Sequence, residues 1–180
     1  MIFYETDRLI LRNLKVEDVH DYLEFCNSEF NLKYDNVSHI SEERLTTVLE
    51  KRKEDDRYWA VILKSNQKLI GSLEYEPNEY DSYSIGYSFN EGYTGQGYAY
   101  EACKVLVHHV FTVVGARRIT ADMCEDNVGS WKLAERLGLR REGHFIEDDV
   151  LGEDENGDLI YSNSYYYGML KKEWIDSNNQ

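Results

Sequence analysis

The stretch Ser82-Tyr83-Ser84-Ile85-Gly86-Tyr87-Ser88-Phe89-Asn90-Glu91-Gly92-Tyr93-Thr94-Gly95-Gln96-Gly97-Tyr98-Ala99-Tyr100-Glu101-Ala102 decides how the rest of the chain is read. Tyr83, Ile85, Tyr87 and Phe89 alternate with Ser82, Ser84, Gly86 and Ser88, which predicts a strand with one large apolar face and one small polar face. Beyond the glycines, Ala99, Cys103, Leu106, Val110 and Val113 recur at three- and four-residue steps, the period of a long helix, and Gly115 suits its left-handed stop. A glycine loop between strand and helix leaves backbone N–H groups unpaired at a helix N-terminus, where a phosphate is welcome. Gly95 and Gly97 permit a ligand to approach the backbone closely. The loop is not the dinucleotide fingerprint, because Tyr100 stands where its third glycine would fall, and no Gly-Lys-Ser/Thr follows.

Working outward, Arg8 to Leu14 reads as a first strand, and Val16, Val19, Leu23 and Cys26 as the apolar stripe of a helix. A second helix starts at the cap Ser41, with Glu42 and Glu43 in its first turn, and runs to about Lys53. Tyr58 to Leu63 and Leu69 to Tyr75 are strands on either side of the polar turn Ser65-Asn66-Gln67. Downstream, Arg118 to Cys124 alternates as a strand, and Asn127 to Leu137 is a helix closed by Gly138. Strands over Arg140 to Ile146 and Leu159 to Leu170 flank an acidic turn, with Asn156-Gly157 as the hairpin signal. This order predicts an α/β fold with a mixed sheet, antiparallel strands in front and helical crossovers behind, the strands at 83–89 and 118–124 being the parallel pair.

The chain has 180 residues, 42% of them hydrophobic, enough for one core and short for two ordinary domains. Pro77 is the single proline, and no Gly/Ser tract marks a linker, so one domain over residues 1–180 is expected. No apolar run approaches the length of a transmembrane helix, and the opening residues lack a signal peptide's basic and apolar regions, so a cytoplasmic location is expected. Cys26, Cys103 and Cys124 are too widely spaced for a zinc site or a disulfide framework and read as reduced. A net charge of -14 repels nucleic acid and anionic membranes and attracts cationic amines or basic proteins, although it also serves simply as a solubilising surface. No metal is expected. His108 and His109 are adjacent on a helix and point apart, and the acids from Glu147 to Asp158 lack the calcium-loop spacing.

Gly92-Tyr93-Thr94-Gly95-Gln96-Gly97-Tyr98-Ala99-Tyr100-Glu101-Ala102 resembles the acetyl-CoA pyrophosphate loop of GNAT-superfamily N-acetyltransferases, in the ribosomal-protein N-acetyltransferase-like (Rim-type) branch. Asn127-Val128-Gly129-Ser130 followed by a helix and Leu137-Gly138-Leu139 resembles the second motif of that branch. Glu5-Thr6-Asp7-Arg8-Leu9-Ile10-Leu11-Arg12 and Tyr167-Gly168-Met169-Leu170 are similar to its termini, so the resemblance spans nearly the whole chain. Three positions depart from the pattern. Thr94 replaces the usual Arg or Gln, Asn163 stands where branch members often have Asp, and Leu139 replaces Phe.

The resemblance implies a splayed central sheet, with pantetheine inserted between the strand at 83–89 and the strand at 118–124. It implies acetyl-CoA as co-substrate and direct acetyl transfer to a primary amine, either a protein N-terminus or a small molecule, and leaves a homodimer open. The cofactor-binding residues it points to are Tyr87, Ser88, Phe89, Thr94, Gly95, Gln96, Gly97, Tyr98, Ala99, Asn127 and Ser130. Ser130 matches the serine that in related enzymes lies near the thioester sulfur, and as a catalytic residue would serve the departing thiolate. A helix cap is the alternative role for it. Glu74, on the preceding strand, is the candidate base that would free the amine of its proton, with a solvated strand position as the alternative. Tyr87 is a second-line acid or positioning group, otherwise a core residue. A non-catalytic acyl-CoA-binding module is the reading from a different class.

Overall fold

The near-continuous apolar run at 58–63 becomes the strand with the deepest burial, Trp59, Ala60 and Val61 being fully covered. A computed structural model of the chain describes residues 1–34, 39–153 and 155–178. These fold as two compact units, residues 1–32, 39–76 and 86–106 in the first and residues 33–34, 77–85 and 107–178 in the second.

In the first unit the strands β1 (Phe3–Glu5), β2 (Leu9–Asn13), β3 (Tyr58–Leu63) and β4 (Leu69–Pro77) pair antiparallel in chain order. Leu9 faces Leu63 and Asn13 faces Trp59, while Tyr58 faces Glu74. The next strand, β5 (Ser82–Phe89), ends in this unit and lies beside β4 in the strand order. The helices α1 (Val19–Cys26) and α3 (Glu42–Arg52) bring Val19, Phe25, Leu45 and Leu49 into a core with Leu14, Ala60, Ile62 and Leu69. Ser41 caps α3 by accepting from the Arg44 N–H at 3.2 Å, as its position predicts. The short helix α2 (Glu29–Tyr34) and strand β1 were not expected, because elements of so few residues show no measurable period.

In the second unit the first part of β5 runs parallel to β6 (Arg118–Cys124), with Ser82 facing Arg118, Tyr83 facing Ile119 and Ser84 facing Thr120. β6 then pairs antiparallel with β8 (Leu159–Leu170), and β8 with β7 (Arg140–Glu153). Helix α5 (Val128–Arg136) and the C-terminal helix α6 (Lys171–Asn178) complete it. The acids from Glu147 to Glu153 lie in β7 rather than in a turn. Bulges between Phe145 and Asp149 and between Val150 and Gly152 take up the extra residues, so pairing continues to Glu153 opposite Leu159. Asp154, also expected in that turn, lies outside the described residues.

The long helix α4 (Tyr98–His109) buries Cys103 and Leu106 as expected and stops at Gly115, whose φ is 83°. Val113, expected on the same apolar stripe, is 66% exposed. Residues Val110–Val114 form a π turn, whose wider spacing shifts the phase and buries Phe111 instead. The predicted contrast between the faces of β5 is also weaker than the alternation suggests. Ile85 and Ser82 are the buried positions, and the residues between and beyond them are half-buried on both faces. His108, exposed, sets its ring against Trp174 at 5.6 Å, while His109 turns inward. Among the described residues, no helix is long and apolar enough to cross a membrane.

Candidate active site

The glycine loop is held by side chains rather than by regular structure. Asn90, 7% exposed, accepts from the Gly92 N–H at 3.0 Å, which caps the single turn Glu91–Tyr93. Its amide also donates to Glu24 Oε1 at 2.9 Å, tying the start of the loop to α1. Hydrogen bonds from Lys68 and then Asn90 hold the Glu24 carboxyl below its ordinary range. Thr94 ends the turn, its hydroxyl donating to the Glu91 carbonyl at 2.9 Å.

Gly95 and Gly97 then adopt φ of 72° and 83°, the left-handed backbone that side chains other than glycine rarely take. A Cβ on Gly95 would have nothing within 4 Å, so conformation and not crowding asks for glycine there. Thr94, Gly95 and Gln96 are exposed, while Gly97, Tyr98 and Ala99 are half-buried where α4 begins. Two left-handed glycines before the half-buried start of a helix give backbone donors of the kind that suit an anion.

Glu74 sits on β4, in the same half-buried row as Ser72 and Glu76. The other row, Gly71, Leu73 and Tyr75, is buried. A Cβ on Gly86 would lie 2.9 Å from both Glu74 Cγ and Oε1, so the space that the small face of β5 offers at Gly86 is taken by this carboxylate. Burial pushes the Glu74 carboxyl above the ordinary carboxylate range; the positive charge of Arg52 works against that and the negative charge of Glu76 with it. Glu76 itself is engaged by Arg57 and by the Tyr58 hydroxyl. Among the described residues, Glu74 has no hydrogen-bond or ion-pair partner. It is therefore a half-buried carboxylate that releases its proton late and has nothing tying up its oxygens.

Tyr87 and Ser88 are half-buried near the end of β5. The Phe89 ring lies over Gly71, where an added Cβ would come 2.5 Å from its Cδ1. That side chain is engaged in strand packing, which leaves the backbone of β5 as the part that could meet a ligand.

In the second unit Asn127 caps α5, its Oδ1 accepting from the Ser130 N–H at 3.1 Å. Ser130 occupies the third helical position and is not the cap. Just before them Glu125 accepts from Tyr165 Oη at 2.7 Å and Asn163 Nδ2 at 2.8 Å, and His144 Nε2 is 3.2 Å away. Those hydrogen bonds, Tyr165 first, hold the Glu125 carboxyl down to about 2. Asn163 also accepts from the Glu147 N–H at 2.9 Å. The departure at 163 thus has a physical reason, since a carboxylate there would face Glu125 without a proton to give. Among the described residues, no group of three or more His, Cys, Asp or Glu could hold a metal ion.

The sequence matches the acetyltransferase (GNAT) domain family over residues 8–140, and the chain belongs to that family. It is an N-acetyltransferase of a family that uses acetyl-CoA and acetylates amines. An uncharacterized N-acetyltransferase of Bacillus subtilis, YnaD, is 29% identical over 171 residues, covering 94% of this chain and 97% of its own. The fold matches ribosomal-protein-S5-alanine acetyltransferase from Vibrio fischeri at a TM-score of 0.81 and 20% identity, over 97% of this chain and 99% of that one. It also matches spermidine N-acetyltransferase from Vibrio cholerae, in complex with CoA and spermine, at 0.79 and 21%, over 94% and 99%.

Asn90, Glu24, Arg8 and Glu101 around the loop were not singled out from the sequence. Arg8 and Glu101 lie 93 residues apart yet meet directly. The one signal that could have found them was their presence in two separate stretches that resemble the same branch.

Proposed function

We propose that residues 1–180 act as one acetyltransferase domain that moves an acetyl group directly from acetyl-CoA to a primary amine, with Glu74 as general base and Ser130 as donor to the departing sulfur. The observation that carries this reading is Glu74 over Gly86, a carboxylate whose pKa is raised by burial and whose oxygens are free to take a proton. Acetyl-CoA, when bound, supplies the activated thioester. The backbone N–H groups of Gly95 to Ala99 receive the pyrophosphate, with Thr94 closing the turn before them, and the backbone of β5 from Tyr87 to Phe89 binds the pantetheine arm, as does Asn127. Tyr87 positions the reacting groups.

An alkyl ammonium, with a pKa near 10.4, is neutral in only about one molecule in a thousand at pH 7, so the base determines how much nucleophile is available. Glu74 accepts the ammonium proton, and the amine nitrogen bonds to the acetyl carbon. As the carbon–sulfur bond breaks the nitrogen gives up its second proton, which ends on the leaving sulfur as CoA thiol, with the Ser130 hydroxyl donating to that sulfur as it departs. The acceptor is a protein N-terminus or a small amine. Both kinds occur among proteins with this fold, and the net charge of -14 favours a cationic acceptor. The test is release of free CoA thiol from acetyl-CoA with panels of N-terminal peptides, polyamines and amino sugars. Thiol release with at least one class is expected. No release with any amine, under conditions where acetyl-CoA is shown to bind, would overturn direct amine acetylation.

A further inference from the structure

Arg8 belongs to the turn before β2, a segment that carries family likeness in sequence but has no part in the site as described so far. In the structure it reaches the glycine loop. Its Nη1 donates to the Gln96 carbonyl at 2.9 Å, and its Nε donates to Glu101 Oε2 at 2.7 Å with Nη2 2.6 Å from the same oxygen. Its backbone N–H donates to Glu101 Oε1 at 3.1 Å, and the Thr6 hydroxyl donates to that oxygen too. The guanidinium lies over the Tyr98 ring at 4.4 Å, and Nη2 is 3.4 Å from where a Cβ on Gly97 would sit.

We propose that Arg8, seated on Glu101, is a positioning residue for the cofactor pyrophosphate, fixing the direction of the loop's backbone donors and cancelling a negative charge at the anion-binding end of α4. Two physical arguments support this. In a planar trans peptide the C=O and the following N–H point to opposite sides, so holding the Gln96 carbonyl on Arg8 turns the Gly97 N–H away from it. Gly95 and Gly97 alone would let that peptide rotate, because glycine takes either sign of φ.

The second argument is electrostatic. Burial alone would raise the Glu101 pKa, but hydrogen bonds from Thr6 and Arg8 and the charge of Arg8 hold it below the ordinary value. Glu101 is therefore ionised at neutral pH, in the first turn of the helix whose positive end is to receive phosphate. Unpaired, it would repel the ligand; paired with Arg8, it leaves the helix end and the loop amides to act. Arginine is suited to this because its planar fork holds a carbonyl and a carboxylate at once, which an ammonium on a flexible stem does not. Thr94, whose hydroxyl is directed back to Glu91, contributes no cation to the loop.

This inference rests on the acetyl-CoA reading above, and the experiment separates the two. CoA binding is measured by calorimetry for the parent, Arg8→Ala and Arg8→Lys, alongside KM for acetyl-CoA, kcat and the denaturant midpoint. Arg8→Ala should weaken CoA binding and raise KM about ten- to a hundredfold, the weight of charge-assisted hydrogen bonds, with kcat at saturation within about threefold. Arg8→Lys, which keeps the charge and loses the fork, should fall between parent and alanine variant. If Arg8→Ala lowers the denaturant midpoint while its affinity for CoA stays within about twofold of the parent, Arg8 is only a tie between β2 and α4 and the proposal is wrong. Should the alanine variant not fold, Arg8→Lys decides, and a lysine variant that binds CoA as the parent does overturns the proposal. A parent that fails to bind CoA overturns the acetyl-CoA reading and this inference with it, whereas a binding parent with an unaffected variant overturns this inference alone.

Discussion

Glu74 is where side-chain chemistry and folding oppose each other. Its pKa is raised, by burial first, so the folded state holds the proton more tightly than the unfolded chain does. The stability this contributes is present in full below the unfolded pKa and is lost as pH rises through the folded one. Ionised Glu74 is thus a destabilising group in the folded state. Glu74→Gln should unfold at higher denaturant than the parent at pH 8, with the difference vanishing in acid. Its kcat/KM should be lower, and the parent's acidic limb, where rate falls as Glu74 takes up its proton, should be absent. A parent and a glutamine variant with superimposable pH–rate profiles would remove Glu74 as the base. The sequence placed Glu74 on a strand next to the alternating one. It could not show that Gly86 lies beneath it, because the turn between β4 and β5 sets which residues face each other.

At the scale of elements, α5 separates two roles that its sequence leaves open. Asn127 and Ser130 both suit a helix N-terminus, and the structure gives the cap to Asn127. Asn127→Ala should therefore cost about 1 kcal/mol of stability. Ser130→Ala should lower kcat by about one to three decades, with acetyl-CoA binding retained. A Ser130→Ala enzyme turning over like the parent would end its catalytic assignment. Elements with sustained period or a clear stop were legible, among them β3, β5, β6, α3, α4 and α5. The acidic end of β7 was not, because residues such as Glu147, Asp148 and Asp149 have poor strand propensity, and Glu147 and Asp148 fall in the bulge between Phe145 and Asp149, which lets Asp149 pair with Ser162. Nor was α6, whose sequence Lys171–Asn178 is polar around most of its surface.

For the whole molecule, the excess of acids is the property most open to measurement. With 34 Asp+Glu against 20 Lys+Arg, a cationic acceptor should be drawn in, and its kcat/KM should fall as salt shortens the Debye length from about 10 Å at 0.1 M. Acetyl-CoA, an anion, should show the opposite trend or none in its own KM. Measuring kcat/KM for one active amine across ionic strength tests this, and a flat response would mean that the acidic surface only solubilises the protein.

Alone, the sequence determined the alternation of β5, the glycines of the loop, the period of α4 and the parallel relation of β5 to β6. These are local: a period, a φ that only glycine tolerates, or a crossover length is written in neighbouring residues. Tertiary structure decided what stands around them. The partners Arg8 and Glu101, Asn90 and Glu24, and Glu125 and Asn163 are dozens of residues apart, and no period links them. Whether a carboxylate is solvated, paired or left unpartnered depends on what the folded chain brings over it, because burial and hydrogen-bond satisfaction are properties of packing in three dimensions.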